Sequence, residues 1–253
     1  MRLSYFFLLS FIALAMSGCS LFTQEQAAEN PGKPSIKYDE NGDTVLINYN
    51  DKGLLLSEVT VKNNRMNGLA YNFYENGKIQ NEITYVDGVK NGRATWNYEN
   101  GKLYRETLYK NGEIDGIQKK YYEDGKPMAE IPYKNGVLQP GTREFSSNGT
   151  IKKNLPEIKI EPIDKIAFES QYILRVSLSK KQSNVKLYRI TESTLGNPVR
   201  VPLDLKDGYA EIKWMLPKGT FIMEKVIIVA EFTTNLSNPV IIEKSYNVAV
   251  ENR

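Results

Sequence analysis

The chain is predicted to be all-β: an antiparallel β-hairpin repeat meander followed by an immunoglobulin-like β-sandwich. Three observations carry that expectation. Glycines recur every 24 residues through the middle of the sequence, many of them in Asn-Gly or Asp-Gly pairs that bound short runs rich in Tyr, Ile, Thr and Phe. Beyond residue 155 glycine becomes sparse and apolar residues alternate with polar ones at the strand period. That last region shows no helical periodicity.

Composition limits the chemistry. Of 253 residues, 33 are Lys or Arg and 30 are Asp or Glu, for a formal net charge of +3, with no histidine and one cysteine. Imidazole is the commonest general base near neutral pH and the commonest metal ligand. Its absence excludes a Ser/His/Asp triad, a Cys/His pair and any His-bearing zinc site. A lone cysteine excludes intramolecular disulfides, Cys-rich zinc sites and iron–sulfur clusters. No metal or cofactor is expected, and only carboxylate, lysine, serine or tyrosine chemistry is left. The charges are spread along the chain, and the longest basic runs are dipeptides such as Lys119-Lys120. No nucleic-acid partner is expected from so even a balance.

Residues 1–18 read as an export signal. Arg2 precedes an apolar run from Leu3 to Met16, too short for a spanning helix of about 20 residues but suited to a signal-peptide core. Met16-Ser17-Gly18-Cys19 follows, and it resembles the lipobox of bacterial lipoproteins, in which the cysteine receives diacylglycerol before cleavage. The resemblance implies an exported chain anchored at a lipidated Cys19, with the membrane as a partner through that anchor. Ser20 in the next position points to the outer membrane if the envelope is Gram-negative. Residues 19–37 are expected to be a tether, because small, amide and Pro/Gly residues without apolar periodicity do not build a core.

The repeats are assigned to 38–155. Gly77, Gly101, Gly125 and Gly149 form one 24-residue series, and Gly88, Gly112 and Gly136 form another. A third runs Gly68, Gly92, Gly116 and then Gly141, a step of 25 that suggests one inserted residue near Pro140. Glu58, Glu82, Glu106 and Glu130 keep the register, as do Tyr74, Tyr98 and Tyr122, and Tyr85, Tyr109 and Tyr133. Upstream, Val61 stands at a tyrosine place and Asn64 at a glycine place, where asparagine tolerates positive φ. Each unit therefore predicts two short antiparallel strands joined by Asn-Gly or Asp-Gly turns. Four to five units at about 4.8 Å per strand give a twisted ribbon roughly 40 to 50 Å long.

These residues resemble the bacterial MORN-repeat variant, and the arrangement of several copies is similar to proteins grouped as YwqK-family antitoxins. The resemblance implies a β-hairpin repeat fold and an interaction role without shared catalytic residues. Within the repeats, the glutamate ladder could bind cations or a basic partner, or pair with cations across strands. At about 10 Å per repeat the carboxylates are spaced too widely for glycosidase-type acid pairs, which need roughly 5 to 9.5 Å. Tyr74, Trp96, Tyr98 and Tyr122 are the candidate ligand surface, since aromatic faces with nearby amides suit a peptide or a sugar. The competing expectation is that the aromatics stack as the ribbon's own core.

Residues 156–253 carry three of the 18 glycines, against twelve in 44–155, which marks a second domain. Alternating stretches around Leu174, Leu187, Ile212, Ile228 and Val248, separated by Gly/Pro/Asn turns, predict six or seven strands and an immunoglobulin or fibronectin-like sandwich. Trp214 is its candidate core aromatic. The functional expectation is a non-enzymatic, lipid-anchored envelope protein whose ribbon binds or scaffolds a macromolecule, most simply a protein. The alternative is a module for cell-wall glycan, using the Tyr/Trp/Asn face.

Overall fold

The computed structural model describes residues 32–153, 155–192 and 196–253. The lipobox, Met16 to Cys19, lies outside the described residues. The first sheet has twelve strands: β1 (Ser35–Tyr38), β2 (Thr44–Tyr49), β3 (Leu55–Lys62), β4 (Arg65–Phe73), β5 (Ile79–Val86), β6 (Val89–Asn97), β7 (Leu103–Lys110), β8 (Glu113–Ile114), β9 (Gly116–Tyr121), β10 (Pro127–Lys134), β11 (Val137–Leu138) and β12 (Arg143–Glu144). It is an antiparallel meander in chain order, with β8 and β9 both pairing with β7, and β11 and β12 both pairing with β10. β1 lies largely within the stretch read as tether.

Two turn types alternate along the ribbon, which the Asn-Gly signal alone did not separate. Asp87-Gly88, Asn111-Gly112 and Asn135-Gly136 have positive φ at both residues, as does Asn63-Asn64, where asparagine serves in the glycine place. These are the tight two-residue turns whose twist matches that of the strands. At Asn76-Gly77, Asn100-Gly101 and Asp124-Gly125 only the glycine has positive φ. There the loop is wider: Gly77 N–H donates to the Tyr74 carbonyl at 2.9 Å, and Asn76 Oδ1 accepts from Lys78 N–H at 3.0 Å.

The period stays at 24 through the last repeat, so no residue is inserted near Pro140. Arg105 pairs with Lys120 and Ala129 with Glu144, while Lys110 pairs with Glu113 and Lys134 with Val137. Both registers advance by one full repeat on each strand. Pro140 occupies the place of Gly116, and Gly141 falls one residue later. Lacking an N–H, proline cannot join the ladder, and it lies in the break between β11 and β12.

The ribbon's interior is not the aromatic stack that was the competing expectation. Its most buried side chains in the central repeats are Ala94, Thr107, Ala129 and Ile131, with Gln118 Nε2 donating to Thr107 Oγ1 at 3.1 Å. The tyrosines of the central repeats are only half-buried.

The second region comprises β13 (Ile158–Lys165), a single helical turn α1 (Ile166–Glu169), β14 (Gln171–Leu178), β15 (Ser183–Glu192), β16 (Pro198–Pro202), β17 (Tyr209–Met215), β18 (Phe221–Thr233) and β19 (Pro239–Glu251). Two sheets, β13-β14-β17 and β16-β15-β18-β19, form a seven-stranded antiparallel sandwich. Its core takes alternate residues of β14 (Tyr172, Leu174, Val176) and of β18 (Val226, Ile228, Ala230, Phe232), with Leu187, Ile212 and Val248 from the other strands. Trp214 packs against this core only partly buried, its ring 6.2 Å from Tyr172. The exposed edge strand β16 begins and ends with proline, which blunts edge-to-edge pairing.

The β18–β19 turn sits on the end of the ribbon. Glu144 is 4% exposed, and its Oε1 accepts from Thr234 Oγ1 and from Asn238 Nδ2, the latter at 2.7 Å; Asn238 is fully buried. Thr142 Oγ1 donates to the Pro239 carbonyl at 3.1 Å, and Lys120 Nζ reaches the Ser237 carbonyl at 3.4 Å. A buried carboxylate is stable only when its oxygens are hydrogen-bonded, so this contact ties repeat and sandwich together.

Candidate functional site

In an antiparallel ladder, directly paired residues put their side chains on the same face. Following the pairs across the ribbon gives one continuous row: Asn48, Ser57, Asn72, Asn81, Trp96, Arg105, Lys120, Ala129 and Glu144. The opposite face carries a second row with Glu58, Tyr71, Glu82, Thr95, Glu106, Lys119, Glu130 and Arg143.

Three of the four ladder glutamates are held by cations. Glu58 pairs with Lys37 at 3.0 Å, Glu106 with Arg93 at 2.8 Å, and Glu130 with Arg143. Cross-strand pairing therefore describes the ladder better than a cation-binding role. Each pair involves a half-exposed partner and contributes at most about 1 kcal/mol. Among the described residues, no three Asp, Glu or Cys side chains are grouped to hold a metal ion.

The candidate tyrosines have another task. Tyr74 Oη donates to the Asn97 carbonyl at 2.6 Å, Tyr98 Oη to the Tyr121 carbonyl at 2.7 Å, and Tyr122 Oη to the Phe145 carbonyl at 2.8 Å. Each hydroxyl staples its own repeat to the next, always 23 residues ahead. Burial raises the pKa of Tyr98 and Tyr122, as it does for Tyr85 and Tyr133. These three hydroxyls of Tyr74, Tyr98 and Tyr122 close each repeat against its neighbour. The turn glycines Gly77, Gly88, Gly101, Gly112, Gly125 and Gly136 likewise shape backbone, all with positive φ.

Trp96 differs from the tyrosines. The Arg105 guanidinium lies over its ring, 3.8 Å from the centroid, and Arg105 Nε is buried with no acceptor. Next in the row is Lys120, only 7% exposed. Burial is the first cause pushing its ammonium pKa down, with the Arg105 charge second and Glu144 opposing both. On the Asn81 side, Asn72 Nδ2 donates to Asn81 Oδ1 at 2.9 Å. The structure thus groups Trp96 with two cations and an amide pair.

Sequence reasoning missed Arg105, Lys120 and Glu144, and a signal was present. Asn72, Trp96, Lys120 and Glu144 occupy the same place in successive repeats, as do Asn81, Arg105 and Ala129. Variation at a register-locked place marks side chains that do not maintain the repeat. Beside the junction a shallow cavity of about 380 Å³ opens between Glu144 and side chains from Ser146 to Leu155.

No helix among the described residues is long and apolar enough to cross a membrane. No curated protein matches the chain. Residues 66–87, 90–111 and 114–135, well under half of the chain, each match the MORN repeat variant, and so the ribbon carries three such repeats in the 24-residue register.

Proposed function

We propose that the chain is a non-enzymatic envelope lipoprotein, anchored at Cys19, whose repeat ribbon binds a protein partner. The observation that carries the reading is the division of labour in the ribbon. Three of its four ladder glutamates and the hydroxyls of Tyr74, Tyr98 and Tyr122 are engaged in ion pairs and inter-repeat staples. The row through Trp96, Arg105 and Lys120 varies from repeat to repeat and so is the part left for recognition. Anchorage rests on Met16-Ser17-Gly18-Cys19 behind an apolar run, since two acyl chains hold where one binds only marginally. The similarity to YwqK-family antitoxins adds an action by binding, carried here to the cell exterior or periplasm. Glycan binding draws less support, because the Arg105 guanidinium covers the Trp96 face on which a sugar would stack.

The test is capture of partners from envelope extracts by the tagged full chain in detergent. A specific protein partner is expected. Retention on purified peptidoglycan instead, abolished by Trp96→Ala with Tyr98→Ala, would establish the glycan reading. A hydrolytic activity lost on changing one carboxylate would refute the non-enzymatic role. Separately, Cys19→Ala should release the protein from membranes, and continued retention with no lipid mass difference would remove the anchor.

A further inference from the structure

We propose that the Trp96 face beside the ribbon–sandwich junction is a binding site for a carboxylate, presented by an acidic segment of a protein partner, with Arg105 and Lys120 as its cationic pair. This deepens the partner-binding reading above and rests on it.

Arg105 and Lys120 are direct cross-strand partners. Like charges placed opposite each other weaken a sheet, and no carboxylate is ion-paired with either of them among the described residues. Elsewhere the chain pairs its arginines readily: Arg93, Arg143, Arg175, Arg189 and Arg200 each hold a glutamate. Glu144, two places beyond Lys120 in the row, is engaged by Thr234 and Asn238. Lys120 makes one long contact, 3.4 Å, to a neutral carbonyl. Burial and then the Arg105 charge push its ammonium pKa down, with Glu144 opposing both.

Geometry supplies the recognition. Stacking on Trp96 fixes the plane of the guanidinium and buries its Nε, which leaves the two terminal nitrogens to meet a carboxylate. A planar fork held in this way suits two-pronged recognition of a carboxylate. The same stacking occupies the aromatic face, which favours an acidic peptide over a sugar. Asn72 and Asn81, next in the row, offer amide groups of the kind that bond a peptide backbone.

The test titrates the full chain in detergent with a hexaglutamate peptide, followed by calorimetry and tryptophan fluorescence. Saturable binding that weakens with added salt is expected, with none for hexaglutamine. Arg105→Gln should weaken binding at least tenfold, and Arg105→Lys should fall between it and the wild type. Lys120→Gln should also weaken it; because Lys120 touches the sandwich, Arg105→Gln is the deciding variant, with a melting curve to establish that it folds. Absence of saturable binding to the wild type, or undiminished affinity in a folded Arg105→Gln, would overturn the site. Tighter binding of an oligogalacturonate of equal charge would overturn the peptide assignment. A partner captured equally by wild type and Arg105→Gln would leave the binding role standing and remove this site.

Discussion

Replacing Glu144 with alanine removes the acceptor on which the β18–β19 turn rests. Its Oε1 takes hydrogen bonds from Thr234 and Asn238, and all three side chains are buried. Each bond to a charged group is worth about 1.5 to 3 kcal/mol, and the stranded donors add their own penalty. Because both bonds share one oxygen they do not sum fully, and the expected loss is about 3 to 5 kcal/mol, in the range for breaking a buried charged contact. The 3.9 Å approach of the half-exposed Lys152 adds little. What then holds the junction is the Thr142 bond to the Pro239 carbonyl and the long Lys120 contact. Urea unfolding should change from one transition to two, and amides of residues 234–238 should exchange faster. A Glu144→Ala, Asn238→Ala double-mutant cycle should give a coupling of about 1.5 to 3 kcal/mol. A single transition within about 1 kcal/mol of the wild type, with unchanged exchange in that turn, would refute the claim that this carboxylate locks the two parts together.

The remaining expectations concern the ribbon and the sandwich core. Tyr98→Phe removes one inter-repeat staple and should lower stability by about 1 kcal/mol, measured as a shift in denaturant midpoint at constant slope. Combined with Tyr74→Phe and Tyr122→Phe, the loss should approach about 3 kcal/mol, since the three share no partner. Gly112→Ala and Gly125→Ala both force alanine to φ +87°, but only at Gly112 does the new Cβ meet a neighbour, Val89 Cγ1 at 3.2 Å. Both should destabilise by about 1 to 3 kcal/mol, Gly112 by more, and equal losses in thermal melts would refute the contact. In the sandwich, burial and then the hydrogen bond with Tyr246 raise the Tyr172 pKa to about 12. Between the unfolded value near 10 and that value the folded state binds more protons, so this contribution is full below about pH 10 and is lost as pH rises toward 12. Ultraviolet titration should show Tyr172 ionising last, and Tyr246→Phe should bring it down.

Local chemistry was legible where it repeats. Glycine, Asn-Gly and tyrosine periodicity predicted the hairpin meander, and alternation predicted the sandwich, because both reflect conformational limits that act within a few residues. Gly141 misled for the same reason: a glycine near the expected place looked like a shifted register, whereas the strand pairing shows Pro140 in that place. The tyrosines are legible as a series, but neither the ligand-surface nor the core expectation includes the staple their hydroxyls make. Their role depends on a carbonyl 23 residues away, a distance that no local pattern expresses.

The sequence by itself determined the strand periods and the positions of the turns, since hydrophobic alternation and positive-φ residues leave the backbone few alternatives. Tertiary structure alone decided which side chains face each other. Pairing put Arg105 beside Lys120 and laid Arg105 over Trp96, and docking brought Glu144 to Asn238 across 94 residues of chain. Such contacts depend on register and on the orientation of one sheet against another. The lone cysteine and the missing histidine limit the chemistry available, but the grouping of two cations, a tryptophan and an amide pair exists only once the ribbon is built.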